Sequence, residues 1–242
     1  MINQIKIPLI APENIRILPD FAYNLYGAWM DLLRPEQANA LHEAHSMNQY
    51  LTPSGRNSAV LTVNLLNKEA ADCLLPLFQK TRDYHLTKYD CTLTAGRSQI
   101  RTFEEDDLIK PFYSLPKIQG RVTIHLLTPT TFRTNNRYAI FPTPELILHS
   151  AVAKWNTLGL SVFVDDDDAI HQLMEQTVIT NYRLSSTYYG LKDTHIQSFT
   201  GSVTLSIYGP EPMIRLFGML MNSLRFTGLG IKTSLGMGGV TI

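Results

Sequence analysis

The sequence predicts an α+β fold made of two tandem βαββαβ units. Strand-like and helix-like patterns recur in the same order in both halves, and 242 residues with 44% apolar content suffice for two small cores. With 17% charged and 10% aromatic residues, the composition excludes a disordered chain. No apolar run reaches the roughly 18 residues that span a bilayer, so we expect neither a membrane protein nor a membrane partner.

In the first half, apolar residues at helical spacing alternate with β-branched runs. Pro35 suits the first turn of a helix, and Pro76 must kink or end another. The predicted elements are strand 15–18, helices 21–33 and 35–41, strand 59–66, helix 68–80, strand-like residues 84–94 and a short helix 99–112. Prolines at 111 and 116 then favour a boundary between an N-terminal domain, residues 1–116, and a C-terminal domain, residues 117–242.

The second half repeats the pattern. Pro144 favours a helix start, and the acids at 165–168 favour the N-terminal end of the next helix. The predicted elements are strand 121–127, helices 144–158 and 168–176, strands 178–189 and 195–207, helix 210–224 and a final strand 239–242. Each half therefore has a strand, helical residues, paired strands, a helix and a last strand, which is the ferredoxin-like (RRM-like) arrangement.

The segment GLGIKTSLGMGG, residues 228–239, carries the strongest local signal, with five glycines in twelve residues. Free backbone N–H groups together with Lys232, Thr233 and Ser234 would form a phosphate cradle. The spacing matches neither a Walker loop nor a dinucleotide fingerprint, because the segment joins a helix to a terminal strand. A connector without any ligand is the alternative.

The charge distribution leaves two interpretations open. Net charge is zero, with 21 basic and 21 acidic residues, which argues against coating nucleic acid by bulk charge. Acids cluster at 104–107 and 165–168, while residues 108–144 and the tail after Glu211 contain none. The cations of these acid-free stretches form either a basic face for a polyanion or ordinary surface scatter: Lys110, Lys117, Arg121, Arg133, Arg137, Arg215, Arg225 and Lys232.

The cysteines and the N-terminus bear on location. Cys73 and Cys91 cannot form a metal cluster by themselves, and we expect them to be reduced. Residues 1–6 lack a charged-then-apolar leader. We therefore expect a cytoplasmic protein without a bound metal or cofactor.

The glycine-rich tail resembles the signature of the CRISPR-associated (Cas) endoribonucleases, which cut repeat RNA out of precursor transcripts. ALHEAH (residues 40–45), TPTTFRTNNRYAIFPTPELILHSAVAKWN (128–156) and ITNYRL (179–184) are similar to further family segments in the same order, the last to the branch associated with type III systems. The resemblance implies two ferredoxin-like domains, closed by a glycine-rich loop, that bind CRISPR repeat RNA. It also implies contact with a type III effector complex and action as a monomer or homodimer.

The resemblance assigns the family's catalytic histidine to His42, assisted by Tyr26 and His45. An imidazole that titrates near neutrality can move the proton of a ribose 2′-OH, whose attack on phosphorus leaves a 2′,3′-cyclic phosphate and a 5′-OH without a metal. The family's lysine after the histidine is missing, and Asn48 or Gln49 stands there instead. The alternatives are a non-catalytic repeat-RNA-binding subunit and a small-molecule enzyme of the same fold.

Without the family, His42 is interpreted as a surface or capping residue, and with His45 it forms only an incomplete metal pair. Tyr138 and Tyr182 are as consistent with core packing as with base stacking, and Lys154 is expected to be a surface lysine. The predicted RNA-binding residues are Gly228, Gly230, Lys232, Thr233, Ser234, Gly236, Gly238, Arg133, Arg137, Asn181 and Arg183.

Overall fold

The first half of the chain forms an antiparallel sheet covered by helices, in a computed structural model that describes residues 1–43, 46–80, 83–192 and 194–242. Its strands run in the order β2-β3-β1-β5-β4, with β6 also pairing with β1. These elements are β1 (Ile2–Ile10), α1 (Phe21–Met30), α2 (Pro35–Glu43), β2 (Met47–Pro53), β3 (Ser58–Leu65), α3 (Lys68–Lys80), β4 (Asp83–Leu86), β5 (Cys91–Ala95) and β6 (Gln99–Phe103).

The second half forms another antiparallel sheet, with its own helices and a short hairpin. The elements are α4 (Glu105–Tyr113), β7 (Arg121–Thr130), β8 (Phe132–Thr134), β9 (Arg137–Ala139), α5 (Pro144–Asn156), α6 (Asp167–Glu175), β10 (Thr177–Leu191), β11 (Thr194–Ile207), α7 (Glu211–Thr227) and β12 (Val240–Thr241). The sheet runs in the order β10-β11-β7-β12, and β8 pairs with β9.

Both sheets have the same connectivity once the β4–β5 and β8–β9 hairpins are set aside. The first strand of each half is central; the third strand pairs with one side of it and the last with the other, while the second strand lies outside the third. All these pairs are antiparallel. This confirms the prediction of two tandem ferredoxin-like units. Within the described residues, none of the helices combines the length and apolar character that a membrane span requires.

The first strand was wrongly predicted at residues 15–18, which contain no strand. β1 instead begins at Ile2, and Ile5, Ile7 and Leu9 are buried while the residues between them are exposed. Pro8 argues against a central strand, because it donates no backbone hydrogen bond. It fits here because it lies between the stretch of β1 that pairs with β6 and the stretch that pairs with β5.

The predicted helix at 99–112 was partly wrong. Residues 99–103 form β6 along β1, and helix α4 begins only at Glu105. The acids at 104–107 mark this start, because Glu104 and Asp107 form a capping box. The second acidic run likewise marks the start of α6, since the Asp166 side chain accepts a hydrogen bond from a backbone N–H of its first turn.

Two apolar cores lie behind the sheets, and the two tryptophans, Trp29 and Trp155, are buried in them at 0% and 1% exposure. The halves share core residues, because Ile2 and Leu66 of the first half belong to the core of the second. A domain boundary at residue 116 stays a prediction. The two halves are packed together, so residues from both can line one site.

Candidate active site

The glycine-rich segment, residues 228–239, is a packed element between the two halves. Most of its backbone N–H groups donate within the protein, and the phosphate cradle around Lys232, Thr233 and Ser234 stays a prediction. Gly230 donates to Ser150 Oγ, Ile231 to Thr131 O, Leu229 to Gly238 O, Gly238 to Pro129 O, Gly239 to Thr128 Oγ1, and Leu235 and Met237 to Lys232 O.

The glycines of the segment are explained by contacts inside the molecule. A Cβ on Gly230 would overlap Thr131 O, one on Gly238 would overlap Leu229 O, and one on Gly236 would overlap Tyr189 Oη. These three glycines have φ of +78°, +66° and +103°, which other residues rarely adopt. Direct RNA contact by the buried glycines stays a prediction; they are Gly228, Gly230, Gly236 and Gly238.

The less buried part of this segment lines a cavity of about 410 Å³ at the junction of the halves. Lys232 and Ser234 form one side of it, and Met47 at the start of β2 forms another. Ser234 is held there because Gln49 Nε2 donates to its carbonyl oxygen at 3.1 Å. The start of β2, which follows α2, and the glycine-rich segment thus meet at one cavity.

The side chains at the family's lysine position do not face this cavity. Asn48 and Gln49 are fully buried, and neither lines its wall. Asn48 Nδ2 donates to Phe226 O at 2.9 Å, and Gln49 Nε2 also donates to Ala22 O at 2.7 Å. Both side chains are uncharged amides that donate hydrogen bonds to neighbouring backbone, so neither supplies the missing cation.

The three predicted catalytic residues lie on or just after the first two helices. Tyr26 of α1 is 8% exposed in the first core, and burial raises the pKa of its phenol. His42 is the penultimate residue of α2; its side chain and His45 lie outside the described part of the chain. Their catalytic roles stay predictions. Five peptide units limit the Cα distance from His42 to Met47 to about 18 Å.

Lys154 is a candidate that the sequence did not reveal, and the expectation of a surface lysine is wrong. Its Nζ donates to Thr227 O at 3.0 Å and to Thr233 Oγ1 at 2.9 Å, beneath the glycine-rich segment. Although part of the side chain is exposed, burial lowers the pKa of the ammonium group to about 7. No local pattern signals this state, because it arises only when residues 227–233 fold over α5.

Three cations of the acid-free stretches make contacts within the protein. Lys110 pairs with Asp106 and Arg215 with Glu211, each one helical turn away. Arg215 also donates to the carbonyl oxygen of Phe112 in the last turn of α4 and to that of Leu115 just after the helix. Arg225 lies over the ring of the next residue, 4.6 Å from its centroid. These three cations are engaged within the protein and are not available as a continuous surface for a polyanion.

The remaining predicted RNA-binding side chains are exposed on the second half. Arg133 and Arg137 belong to the β8–β9 hairpin, and Asn181 and Arg183 alternate on β10, which puts them on one face as expected. The chain just after the hairpin contacts β10, because the rings of Phe141 and Tyr182 meet edge to face at 5.8 Å. Both tyrosines of this surface, Tyr138 and Tyr182, are exposed, so neither is a core residue.

Fold and cavity together define a tandem ferredoxin-like protein whose junction carries cations and suits an anionic ligand. The model of the family "CRISPR-associated endoribonuclease Cas6" matches residues 124–240. The Cas6 endoribonuclease of Streptococcus thermophilus is 29% identical over 225 residues, which cover 92% of this chain and 91% of that protein. This chain is therefore similar to Cas6 endoribonucleases over most of its length, which confirms the resemblance.

Solved structures agree in fold. A Cas6 product complex matches with a TM-score of 0.81 at 18% identity, covering 99% of this chain and 98% of that one. Thermus thermophilus Cas6 matches with a TM-score of 0.73 at 24% identity, covering 100% and 98%. At these identities the likeness shows the fold, and the association with type III systems stays a prediction.

The packing of Gly236 predicts a large loss of stability on adding one methyl group. Gly236→Ala should lower the free energy of unfolding by about 2–4 kcal/mol, because its Cβ overlaps Tyr189 and Ala22 at a positive φ. Urea denaturation measures this. Gly27→Ala is the matched control: nothing lies within 4 Å of that Cβ in α1, so stability should rise by about 1 kcal/mol or less. Equal midpoints for Gly236→Ala and the wild type would contradict the packing.

The lowered pKa of Lys154 predicts a pH-dependent stability. Between pH 7 and 10 the unfolded chain holds a proton that the folded chain has released, so unfolding takes up a proton and becomes harder as pH rises. The wild type should gain about 1 kcal/mol per pH unit over Lys154→Met in this range, with no gain below pH 6.

Urea denaturation of both proteins at pH 6, 7, 8 and 9 measures this difference. Lys117→Met, at an exposed lysine, should follow the wild type at every pH. A constant difference between the wild type and Lys154→Met would mean that the folded lysine keeps its proton.

Proposed function

We propose that this chain is a metal-independent endoribonuclease that cleaves CRISPR repeat RNA in precursor transcripts and so generates guide RNAs. Similarity to Cas6 endoribonucleases supports the activity class and the substrate. The structural observation that carries the proposal is the junction cavity. Met47, which follows His42 by five residues, lines it together with Lys232 and Ser234 of the glycine-rich segment.

The cavity suits the chemistry of RNA cleavage. Lys232 supplies a positive charge for a phosphate and Ser234 a hydroxyl donor, on a segment whose backbone is fixed from both halves. A linkage held there lies within reach of the chain that carries His42. Fixing the ribose and the phosphate for in-line attack supplies a large part of the rate of such a reaction.

His42 is assigned to proton transfer. As a base, its imidazole takes the proton of the 2′-OH, and the oxygen attacks the adjacent phosphorus while the bond from phosphorus to the 5′-oxygen breaks. As an acid, it gives a proton to the departing 5′-oxygen. Both assignments end in a 2′,3′-cyclic phosphate and a 5′-OH, and Tyr26 and His45 are assigned to assist.

Flanking RNA is assigned to the exposed surface of the second half. The cations of the β8–β9 hairpin and of β10 suit phosphates, and the exposed rings suit stacking on unpaired bases. The set consists of Arg133, Arg137, Tyr138, Asn181, Tyr182 and Arg183. Action in the cytoplasm, as a monomer or homodimer with transient contact to a type III effector complex, completes the proposal.

Cleavage of labelled repeat RNA in EDTA tests the activity. The wild type should cut the RNA, and a single 2′-deoxy substitution at the cut should block cleavage because it removes the nucleophile. His42→Ala should lower the cleavage rate about 100- to 10,000-fold and leave the Kd for uncleavable RNA unchanged. His85→Ala is the control and should cut normally, because His85 is exposed on β4 and does not line the 410 Å³ cavity.

Three outcomes would contradict parts of this proposal. A requirement for magnesium would refute the mechanism, and unchanged cleavage by His42→Ala would refute the residue assignment. RNA that the wild type binds but leaves intact over a long incubation would identify the non-catalytic repeat-RNA-binding subunit instead.

A further inference from the structure

Lys154 lies on the wall between two cavities. On one side is the cavity of about 410 Å³ with Lys232 and Ser234, and on the other a cavity of about 290 Å³ with Arg133 and His149. Among the described residues, no carboxylate lines either one. A buried lysine is ordinarily paired with a carboxylate. The described residues of these two walls offer Lys154 no carboxylate, only other basic groups.

The hydrogen bonds of Lys154 leave capacity for a ligand. An ammonium group has three N–H donors, and Thr227 O and Thr233 Oγ1 accept two of them. Thr227 is the last residue of α7, so its carbonyl lies at the negative end of the helix. A neutral amine still has two N–H donors, so both contacts can persist after deprotonation. The third N–H and the positive charge of Lys154 therefore remain available for an anionic ligand in the cavity.

We propose that Lys154 binds a phosphate group of the RNA backbone in the 410 Å³ cavity, together with Lys232 and Ser234. The inference rests on the proposed function, because it takes RNA as the ligand. A phosphodiester accepts the remaining N–H and supplies the negative charge that the cavity walls lack. Lys154 thereby provides, from the second half, a cation that Asn48 and Gln49 do not provide from the first.

Phosphate binding at this lysine is coupled to proton uptake. In the free protein the pKa of Lys154 is about 7, so at pH 8.5 the group is mostly neutral. A bound phosphate stabilises the ammonium form and raises this pKa, so RNA binding takes up a proton and weakens as pH rises. In the part of the chain that the structure describes, the other basic groups on the two cavity walls are Lys232, Arg133 and His149. They are unchanged by substitutions at Lys154, so such variants isolate its contribution.

The role as a structural brace is the competing interpretation. Both hydrogen-bond acceptors are protein atoms, and a brace would stabilise the fold without touching RNA. The two roles differ in what they predict for binding. A brace makes affinity follow folding stability, whereas a phosphate contact makes affinity depend on the charge of residue 154 in a protein that remains folded.

Binding of repeat RNA carrying a 2′-deoxy substitution at the cut distinguishes these roles. The Kd is measured at pH 6.5 and 8.5 at constant ionic strength, for the wild type, Lys154→Met, Lys154→Arg and the exposed control Lys117→Met. Lys154→Met should bind about tenfold more weakly than the wild type at pH 6.5. Between pH 6.5 and 8.5, wild-type affinity should fall by roughly tenfold more than that of Lys154→Met. Lys117→Met should follow the wild type.

Lys154→Arg keeps the charge at both pH values, so its affinity should lack the loss at pH 8.5. The proposal is overturned if Lys154→Met, folded by circular dichroism, binds as tightly as the wild type with the same pH dependence. Should Lys154→Met not fold, Lys154→Arg decides, and a loss equal to that of the wild type overturns the proposal. A wild type that binds no repeat RNA at either pH would instead refute the proposed function.

Discussion

The glycine-rich segment can lie between the two halves only because it has glycines at the positions where atoms of the two halves leave no room for a side chain. Gly236 passes Ala22 of α1 and Tyr189 of β10, and Gly239 lies against the ring of Tyr50. At the same place the hydroxyl of Tyr189 donates to Leu235 O at 2.6 Å. Close packing and hydrogen bonding together fix the segment against both halves. A Cβ on Gly236 would overlap Ala22 of the first half and Tyr189 of the second, so this contact helps to determine where the cavity side chains of the segment lie.

The same packing creates the unusual environment of Lys154. Folding residues 227–233 over α5 removes water from an ammonium group and offers it one helix-end carbonyl and one hydroxyl. These acceptors satisfy hydrogen bonds but bring no full negative charge, so desolvation lowers the pKa instead of being offset. The packing of residues 227–233 against α5 thus lowers the pKa of a lysine that lines the cavity.

Much of the topology was accessible from the sequence, because it follows from local patterns. Helix starts at Pro144 and at the acids before α6 are set by residues within one turn. The first strand was missed because Pro8 breaks the rule for central strands, and only the gap between β5 and β6 makes it acceptable. Lys154 was misjudged for a related reason: its desolvation depends on residues more than seventy positions away, which no local pattern contains.

The zero net charge of the chain affects how the protein selects RNA. With 21 basic and 21 acidic residues, the chain has little long-range attraction for polyanions, and charges more than about 8 Å apart are screened at physiological salt. Several cations of the acid-free stretches are already engaged by Asp106, Glu211 and backbone carbonyls. Recognition must then rely on groups that act at contact distance. A lysine that becomes fully charged only when a phosphate enters its cavity acts in this way, because it contributes little attraction until the RNA is correctly seated.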